Sequence, residues 1–295
     1  AFEFEPRDHA ALGELLGMLD TERGARTSGS RFVYLLGDIV QVQFALVRHA
    51  LDILTVRGFV PVIPPVLVRE EAMFGSGFLP TDEVNIYVTS PDELYLVGTS
   101  EVSLAAFHAG EILDEADLPI RYAGYSTCFR REAGTYGKDM GGMFRVHQFD
   151  KVEMFSFARP EESWDELEFI LGIEEEILGK LDVPYRVTNT AAGDLGSAAA
   201  KKYDLEAWLP GQDRYRELTS CSNYTDYGAR RGQTRIRRTS GEVEVLHTLN
   251  GTATAIGRTL IAILENNQRA DGSVALPTAL HTYLPESLRE LRPKG

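Results

Sequence analysis

Two runs of residues typical of β-strands flank a glycine-rich stretch between Cys128 and Phe157. The stretch, residues 134–142, is too long for a tight hairpin turn, and loops of this length are usually functional or disordered. The pattern therefore predicts two antiparallel strands joined by a long mobile loop. Such β-pairs occur here with helices but without regular βαβ alternation. The chain is therefore expected to be α+β, with a mostly antiparallel sheet flanked by helices.

Apolar residues at helical spacing predict a helix over Asp38–Val56 and two more, over 164–181 and from about 254 to 268. The apolar face expected for the first of these consists of Val40, Phe44, Val47, Leu51 and Leu54. The apolar segment 59–68 is interrupted by prolines, which predicts an edge strand or an extended interface segment. Further strands are expected at 185–188, 215–222 and 243–248.

Composition limits the possible classes of protein. The 295 residues carry a net charge of −14, which disfavours general binding to nucleic-acid phosphates, so any such contact must be local. The two cysteines provide no disulfide framework, and no apolar run approaches the ~18 residues of a membrane span. With no repeat, linker or signal-peptide pattern, residues 1–295 are expected to form one cytoplasmic domain without a membrane partner.

The strands around the loop carry residues suited to a nucleotide. Arg130 and Glu132 follow one another at strand spacing, as do Phe149, Lys151 and Glu153, so each set is expected to share a face. An arginine presents a rigid fork to a phosphate, and an aromatic ring offers a stacking surface for a purine. An exposed hairpin with cross-strand salt bridges is the alternative for this stretch alone.

A second stretch, Asn250 to Leu260, consists of small residues that are expected to open the last predicted helix. Gly257 permits close approach, and Arg258 lies near the positive end of the helix dipole, so a phosphate chain would fit there. Taken alone, the stretch is better explained by close helix packing through small residues and a solvated arginine.

Together these stretches resemble motifs two and three of class II aminoacyl-tRNA synthetases, in detail those of the bacterial-type seryl family. The motif-two pattern Phe-Arg-x-Glu-Ala-Gly, then Arg-x-His-Gln-Phe-x-Lys-Val-Glu, is present at 129–134 and 145–153. The motif-three pattern matches from 250 to 260, and 58–65 resembles motif one. Blocks at 205–210, 217–223 and 229–231 also match, so the resemblance extends from about residue 7 to residue 284.

The resemblance implies a site for ATP and Mg²⁺. Arg130 would hold the α-phosphate and Arg258 the γ-phosphate, and Glu132 would read an adenine stacked on Phe149. The implied catalytic residues are Arg130, Arg258 and Glu217. The implied ATP-binding residues are Arg130, Arg131, Glu132, Arg145, Phe149, Glu217, Leu218, Thr219, Ser220 and Arg258, with Glu217 and Ser220 also binding Mg²⁺. No general base is required, because the attacking amino-acid carboxylate is already an anion at neutral pH.

The resemblance also implies a site for L-serine. Thr99, Ser100 and Glu101 would hold the α-ammonium, and Glu153, Asn250 and Thr252 would bind the hydroxyl, with Arg130 completing the serine contacts. Two departures from the family pattern are Ser100 in place of alanine and Arg131 in place of serine. Tyr227-Gly228 also differs from the usual Phe-Gln. None removes a group that the chemistry needs.

The implied activity is formation of seryl-adenylate from serine and ATP, followed by transfer of the seryl group to tRNA. A homodimer is expected through the motif-one segment around Pro65. The N-terminal coiled-coil arm with which the family grips tRNA is not found in this sequence, so tRNA binding is expected to be weakened. Lys138 in the loop is the favoured contact for the tRNA acceptor end. The arginines at 230, 231, 235, 237 and 238 are a second candidate, although a solvated strand face explains them as well.

Two alternatives remain at this stage. An armless paralogue would activate serine or another small amino acid for a carrier protein or a biosynthetic acceptor. Enzymes of that type use zinc held by two cysteines and a glutamate. Cys128, Glu153 and Cys221 supply these residue types without the spacing, so zinc is not expected. A catalytically inactive regulatory relative is disfavoured, because all of the motif arginines and glutamates are present.

Overall fold

A computed structural model describes residues 2–134, 137, 139 and 141–293. The α-helices within these residues are α1 (His9–Leu15), α2 (Thr21–Ser28), α3 (Asp38–Val56), α4 (Glu70–Gly75), α5 (Glu101–Ala106), α6 (Ser163–Lys180), α7 (Tyr227–Gly232) and α8 (Ile256–Asn266). Short 3₁₀ turns lie at Glu83–Asn85, Glu115–Asp117, Pro160–Glu162, Ala192–Asp194, Pro210–Gln212 and Thr278–Tyr283.

The strands in the first half of the chain are β1 (Leu19–Asp20), β2 (Tyr34–Leu35), β3 (Val60–Val62), β4 (Leu67–Val68), β5 (Tyr87–Val88), β6 (Tyr95–Leu96), β7 (Ile112–Asp114) and β8 (Ile120–Phe129). Those in the second half are β9 (Gln148–Ala158), β10 (Tyr185–Asn189), β11 (Lys201–Leu209), β12 (Arg214–Asn223), β13 (Arg235–Arg237), β14 (Val243–Val245), β15 (His247–Ala255), β16 (Val274–Ala275) and β17 (Glu290–Leu291).

The central sheet has seven strands in the order β10-β11-β12-β15-β9-β8-β3. Every neighbouring pair is antiparallel except β3 and β8, which are parallel. Helices α3, α6 and α8 pack against this sheet and share its main hydrophobic core. The predicted α+β architecture, an antiparallel sheet flanked by helices, is confirmed.

The strand–loop–strand unit is confirmed by β8 and β9, which pair antiparallel from Ile120↔Phe157 to Phe129↔Gln148. Segment 59–68 supplies the edge strand β3, as its prolines predicted. The predicted strand at 243–248 is divided between β14 and β15. Four residues of the loop lie outside the described residues, namely Thr135, Tyr136, Lys138 and Met140. The predicted mobility of the loop and the predicted contact of Lys138 with the tRNA acceptor end concern these residues and stay predictions.

Helix α3 has the predicted bounds, but its predicted buried face is wrong in part. Phe44 is 56% exposed, whereas Ile39, Val42 and Leu46 are buried. The reason is that apolar residues nearly encircle this helix, so periodicity alone does not select the core side. By length and a mean hydropathy of 1.4, α3 would also be long and apolar enough to cross a membrane. Half of that window is buried inside the fold.

The small residues of motif three lie in a strand and do not open the last helix as predicted. Asn250 to Thr254 belong to β15, which pairs with both β9 and β12, and α8 begins only at Ile256. The need for a small residue is sharpest at Gly251. A Cβ atom there would lie 2.3 Å from Ile170 Cγ2 of α6.

Candidate active site

A cavity of about 470 Å³ lies over β12, β15 and β9 and beside the end of β8. Neighbouring residues of a strand point to opposite faces of a sheet, and Gly251 faces α6. Asn250 and Thr252 therefore face away from α6, and both line the cavity. The predicted site residues that line it are Thr99, Glu101, Arg130, Glu132, Arg145, Phe149, Glu153, Glu217, Leu218, Thr219, Ser220, Asn250, Thr252 and Arg258.

Two predicted site residues lie outside the lining. The hydroxyl of Ser100 donates to the carbonyl oxygen of Gly124 at 3.3 Å, so this fully buried side chain is turned toward β8. Arg131 is exposed, and its backbone N–H donates to the carbonyl oxygen of Asn85 at 2.9 Å. Their neighbours in the chain line the cavity, but Ser100 and Arg131 themselves do not.

A buried polar pocket forms where β9 and β15 pair in register at Glu153 and Thr252. Glu153 Oε2 accepts from Thr252 Oγ1 at 3.1 Å, and Glu153 Oε1 accepts from Asn250 Nδ2 at 3.2 Å. The same amide nitrogen donates to Glu101 Oε2 at 2.8 Å. Asn250 Oδ1 is buried and has no hydrogen-bond partner among the described residues. A buried acceptor without a partner is costly, so this atom favours a ligand that donates to it.

Burial raises the pKa values of both carboxyl groups in this pocket. Burial, then the charge of Glu153, raises the pKa of Glu101 to about 7, although Lys151, Tyr224 and Asn250 oppose the shift. Burial also raises the pKa of Glu153, against the opposing charge of Lys151. Two carboxylates that have lost their water are stabilised by a cation between them, and the α-ammonium of an amino acid is such a cation.

Arginines line the other end of the cavity. Arg130 follows the end of β8, its Nε donates to the carbonyl oxygen of Gly98 at 3.1 Å, and its Cζ lies 5.4 Å from the centroid of Phe149. Arg258 is the third residue of α8, near the positive end of the helix dipole. Its Nη1 lies 3.0 Å from the carbonyl oxygen and 3.5 Å from Oε1 of Glu217. Burial lowers the pKa of Arg258, and Glu217 opposes this shift.

The loop contributes a carboxylate that sequence reasoning did not single out. Asp139 Oδ2 lies 2.9 Å from Arg145 Nε and 2.7 Å from Arg216 Nη2. Hydrogen bonds from Arg216 and then Arg145 hold the pKa of Asp139 below its usual value. Arg145 also reaches Glu132 Oε2 at 3.3 Å. Asp139 and Arg216 are 77 residues apart, so no local pattern in the sequence pairs them.

The residues implied for Mg²⁺ fit that ion in donor type. Glu217 and Ser220 both line the cavity and offer oxygen donors, which Mg²⁺ prefers together with substrate phosphates and water. Among residues 2–134, 137, 139 and 141–293, no group of three or more His, Cys, Asp or Glu residues is arranged to hold a metal ion. Cys128 and Cys221 are both buried free thiols, and burial raises the pKa of each.

The arginine cluster near residue 230 is engaged mainly within the fold. Arg231 donates to the carbonyl oxygens of Phe74 and Leu79, at 2.8 and 3.0 Å. Arg230 pairs with Asp226. Arg238 bridges three carboxylates, those of Glu115, Glu161 and Glu244. Arg235 and Arg237 are exposed on β13. These contacts support the interpretation of the cluster as structural and solvated.

Comparison with known proteins identifies the family of this chain. The sequence profile of the class II core domain of tRNA synthetases for G, H, P, S and T matches residues 87–267. Serine–tRNA ligase from Acidothermus cellulolyticus is 57% identical, covering 99% of this chain and 69% of that protein. The same enzyme from Corynebacterium glutamicum is 54% identical, over 96% and 67%. Seryl-tRNA synthetase from Pyrococcus horikoshii, solved with ATP, superposes with a TM-score of 0.96 at 50% identity, covering 100% of this chain and 66% of that one.

The fold and the profile define a class II aminoacyl-tRNA synthetase core, an ATP-dependent ligase. Given these identities, the chain belongs to the serine–tRNA ligase family, whose function is to activate L-serine with ATP and transfer it to tRNA. The chain spans about two thirds of the length of these relatives.

Proposed function

We propose that the cavity of this chain carries out both steps of serine–tRNA ligation, with the residue roles set out below. The observation that carries the proposal is the division of one cavity into two ends of opposite character. Glu101, Glu153 and Asn250 form a buried pocket for a small amino acid, and Arg130 and Arg258 lie at the end suited to a polyanion.

In the first step the serine carboxylate attacks the α-phosphorus of ATP, and pyrophosphate leaves. The attacking group is already ionised, so the protein needs to align the reactants and neutralise charge. Arg130 binds the α-phosphate and the serine carboxylate, and Arg258 binds the γ-phosphate. Arg145 assists with the phosphates, and the adenine stacks on Phe149. When bound at Glu217 and Ser220, Mg²⁺ supplies further neutralisation of the phosphate charge.

The amino-acid pocket selects serine through its hydroxyl. Glu153, Asn250 and Thr252 form hydrogen bonds to one another around the place that we assign to this group. Alanine and glycine would fit the volume but would leave these buried polar atoms unpaired. A site built to hydrogen-bond a hydroxyl rejects analogues that lack it, because the unpaired groups cost free energy. The α-ammonium lies between Thr99 and Glu101.

In the second step the seryl group passes from the adenylate to a hydroxyl at the 3′ end of tRNA, and AMP leaves. The protein would act in the cytoplasm as a homodimer, with residues 1–295 forming one catalytic domain. An exposed apolar strip near the motif-one segment supports the dimer. Val56, Val60 and Ile63 are 87%, 55% and 85% exposed, and exposed apolar patches mark association surfaces.

The test is ATP–pyrophosphate exchange with serine, threonine, alanine and glycine, followed by aminoacylation of tRNA. We expect exchange that depends on serine and is at least about a hundredfold weaker with alanine. The absence of exchange with all four amino acids would refute the proposal. Exchange with serine but transfer only to a carrier protein would favour the alternative of an armless paralogue.

A further inference from the structure

A buried lysine contacts the carboxylates of the proposed serine pocket. Lys151 is 6% exposed and lies on β9, two residues before Glu153, so both side chains line the cavity. Its Nζ lies 2.5 Å from Glu153 Oε2. Buried lysines are rare unless they are paired, and this one is paired with the carboxylate that we assign to the serine hydroxyl.

The contacts of Glu153 leave little freedom for its carboxylate. Oε2 accepts from Lys151 and Thr252, and Oε1 accepts from Asn250. An ionised carboxylate offers about four acceptor positions, so about one remains, on Oε1. A substrate hydroxyl could donate to that position without displacing any contact.

The charges of the pocket also balance around Lys151. With Glu101 and Glu153 ionised, the two carboxylates carry −2, and Lys151 brings the pocket to −1. The α-ammonium of serine then makes the occupied pocket neutral, which matters because an uncompensated buried charge is costly. Without Lys151 the pocket would keep −1 after binding, or one carboxyl group would take up a proton and lose its acceptor capacity.

Polar and charged groups on the neighbouring elements also contribute to the charge balance of Glu101, Glu153 and Lys151. Asn250 and Thr252 face the carboxylates from β15, and the hydroxyl of Tyr224, just after β12, bonds Glu101. Glu174 of α6 lies on the other side of β15, and burial raises its pKa well above the usual value. Glu174 accepts from the hydroxyl of Thr219 at 3.0 Å on that side, whereas Lys151 faces Glu153 and Glu101.

We propose that Lys151 is a positioning residue for serine recognition. Its ammonium keeps Glu153 ionised and oriented toward the substrate hydroxyl, and it leaves the empty pocket with the single negative charge that the α-ammonium neutralises. The inference rests on the proposed function, because it takes this pocket to be the serine site.

The test compares Lys151→Gln with wild type in ATP–pyrophosphate exchange across a range of pH. Glutamine can still donate to Glu153 but carries no charge. Truncating one partner of a buried charge pair is costly, so KM for serine is expected to rise about 30-fold or more, with KM for ATP changing less than about threefold. The acid limb of kcat/KM for serine is expected to move up by about one pH unit, because the carboxyl groups lose their neighbouring cation.

Controls separate this role from a merely structural one. Lys151→Arg keeps the charge and should restore most of the serine affinity. Lys180→Gln removes an exposed lysine that pairs with Glu176 at the end of α6 and should leave both KM values unchanged. The double variant Lys151→Gln/Glu153→Gln returns the empty pocket to a charge of −1. The factor by which it raises KM for serine should therefore be well below the product of the factors for the two single variants.

An unchanged KM for serine and an unchanged pH profile in Lys151→Gln would overturn the proposal. A parallel rise in both KM values with no shift of the acid limb would do so too, as would additive effects in the double variant. If the wild-type chain shows no exchange that depends on serine, it is the proposed function that fails. The two failures are therefore distinguishable.

Discussion

Replacing Gly251 by alanine tests the link between the helix layer and the serine pocket. The added methyl would lie 2.3 Å from Ile170 Cγ2, 3.0 Å from Glu174 Oε1 and 3.1 Å from Met154 Cε. Ordinary van der Waals contact needs about 3.5 Å or more, so either α6 or β15 must move by about 1 Å. If β15 moves, it carries Asn250 and Thr252 on its other face away from Glu153.

The size of the effect follows from the overlap. Forcing a methyl group into a packed core costs about 1–3 kcal/mol of unfolding free energy. For a chain of this size each kcal/mol lowers the melting temperature by about 2–3 °C, so a loss of about 2–9 °C is expected. The matched control is Gly172→Ala on α6, where a Cβ meets nothing within 4 Å. There, alanine should stabilise the helix by about 0.5–1 kcal/mol.

The assay combines thermal or denaturant unfolding with ATP–pyrophosphate exchange. Gly251→Ala should lower stability and raise KM for serine more than KM for ATP, whereas Gly172→Ala should change neither KM value. The reasoning is refuted if Gly251→Ala is as stable as Gly172→Ala and binds serine normally. It is also refuted if KM for ATP alone rises, because β15 would then not set the geometry of the serine pocket.

Four further predictions concern charge and assembly. Arg258→Ala should lower the exchange rate by about a hundredfold or more at saturating serine, because a preorganised phosphate contact is lost; a change of less than about threefold would contradict the role of Arg258. As pH falls below about 7, the pKa of Glu101, KM for serine should rise because the protonated carboxyl no longer attracts the ammonium; a flat pH profile would argue against this. The raised pKa of Glu101 affects folding in the opposite direction to serine binding. The contribution of Glu101 to the free energy of unfolding is greatest below its ordinary pKa of 4.5 and falls as the pH rises toward 7. Denaturant titrations at several pH values would detect this fall. Ile63→Asp should dissociate the proposed dimer in analytical ultracentrifugation, because the side chain is 85% exposed in the single chain, and an intact dimer would exclude this strip as the interface.

The sequence predicted best those features that depend on local periodicity. The bounds of α3 and the pairing of β8 with β9 follow from apolar spacing and from a glycine-rich interruption. Periodicity failed where a helix is apolar nearly all round, which is why Phe44 was assigned to the core although it is exposed. It failed again at the start of α8, because small residues suit a crowded strand as well as a helix start.

The site could be predicted only through the family resemblance. Asn250 is 149 residues from Glu101 and 97 from Glu153 along the chain, and no local pattern brings them together. The resemblance supplied this grouping but not the direction of side chains, so Ser100 was included although its hydroxyl is turned to Gly124. The pairing of Asp139 with Arg216 was missed because it joins a loop to a distant strand.

A net charge of −14 and a site for a polyanion are compatible because the charges act over short distances. At physiological ionic strength exposed charges are screened beyond about 8 Å, so the acidic surface has little influence on the cavity. Inside the cavity, the order of the residues along β9 and β15 keeps the arginine end apart from the carboxylate end. Phe149 lies near Arg130, whereas Glu153 lies four residues further along β9, beside Thr252. In the proposed function, this separation would let one antiparallel strand pair hold an ammonium and a triphosphate together, with the serine carboxylate directed from one end toward the other.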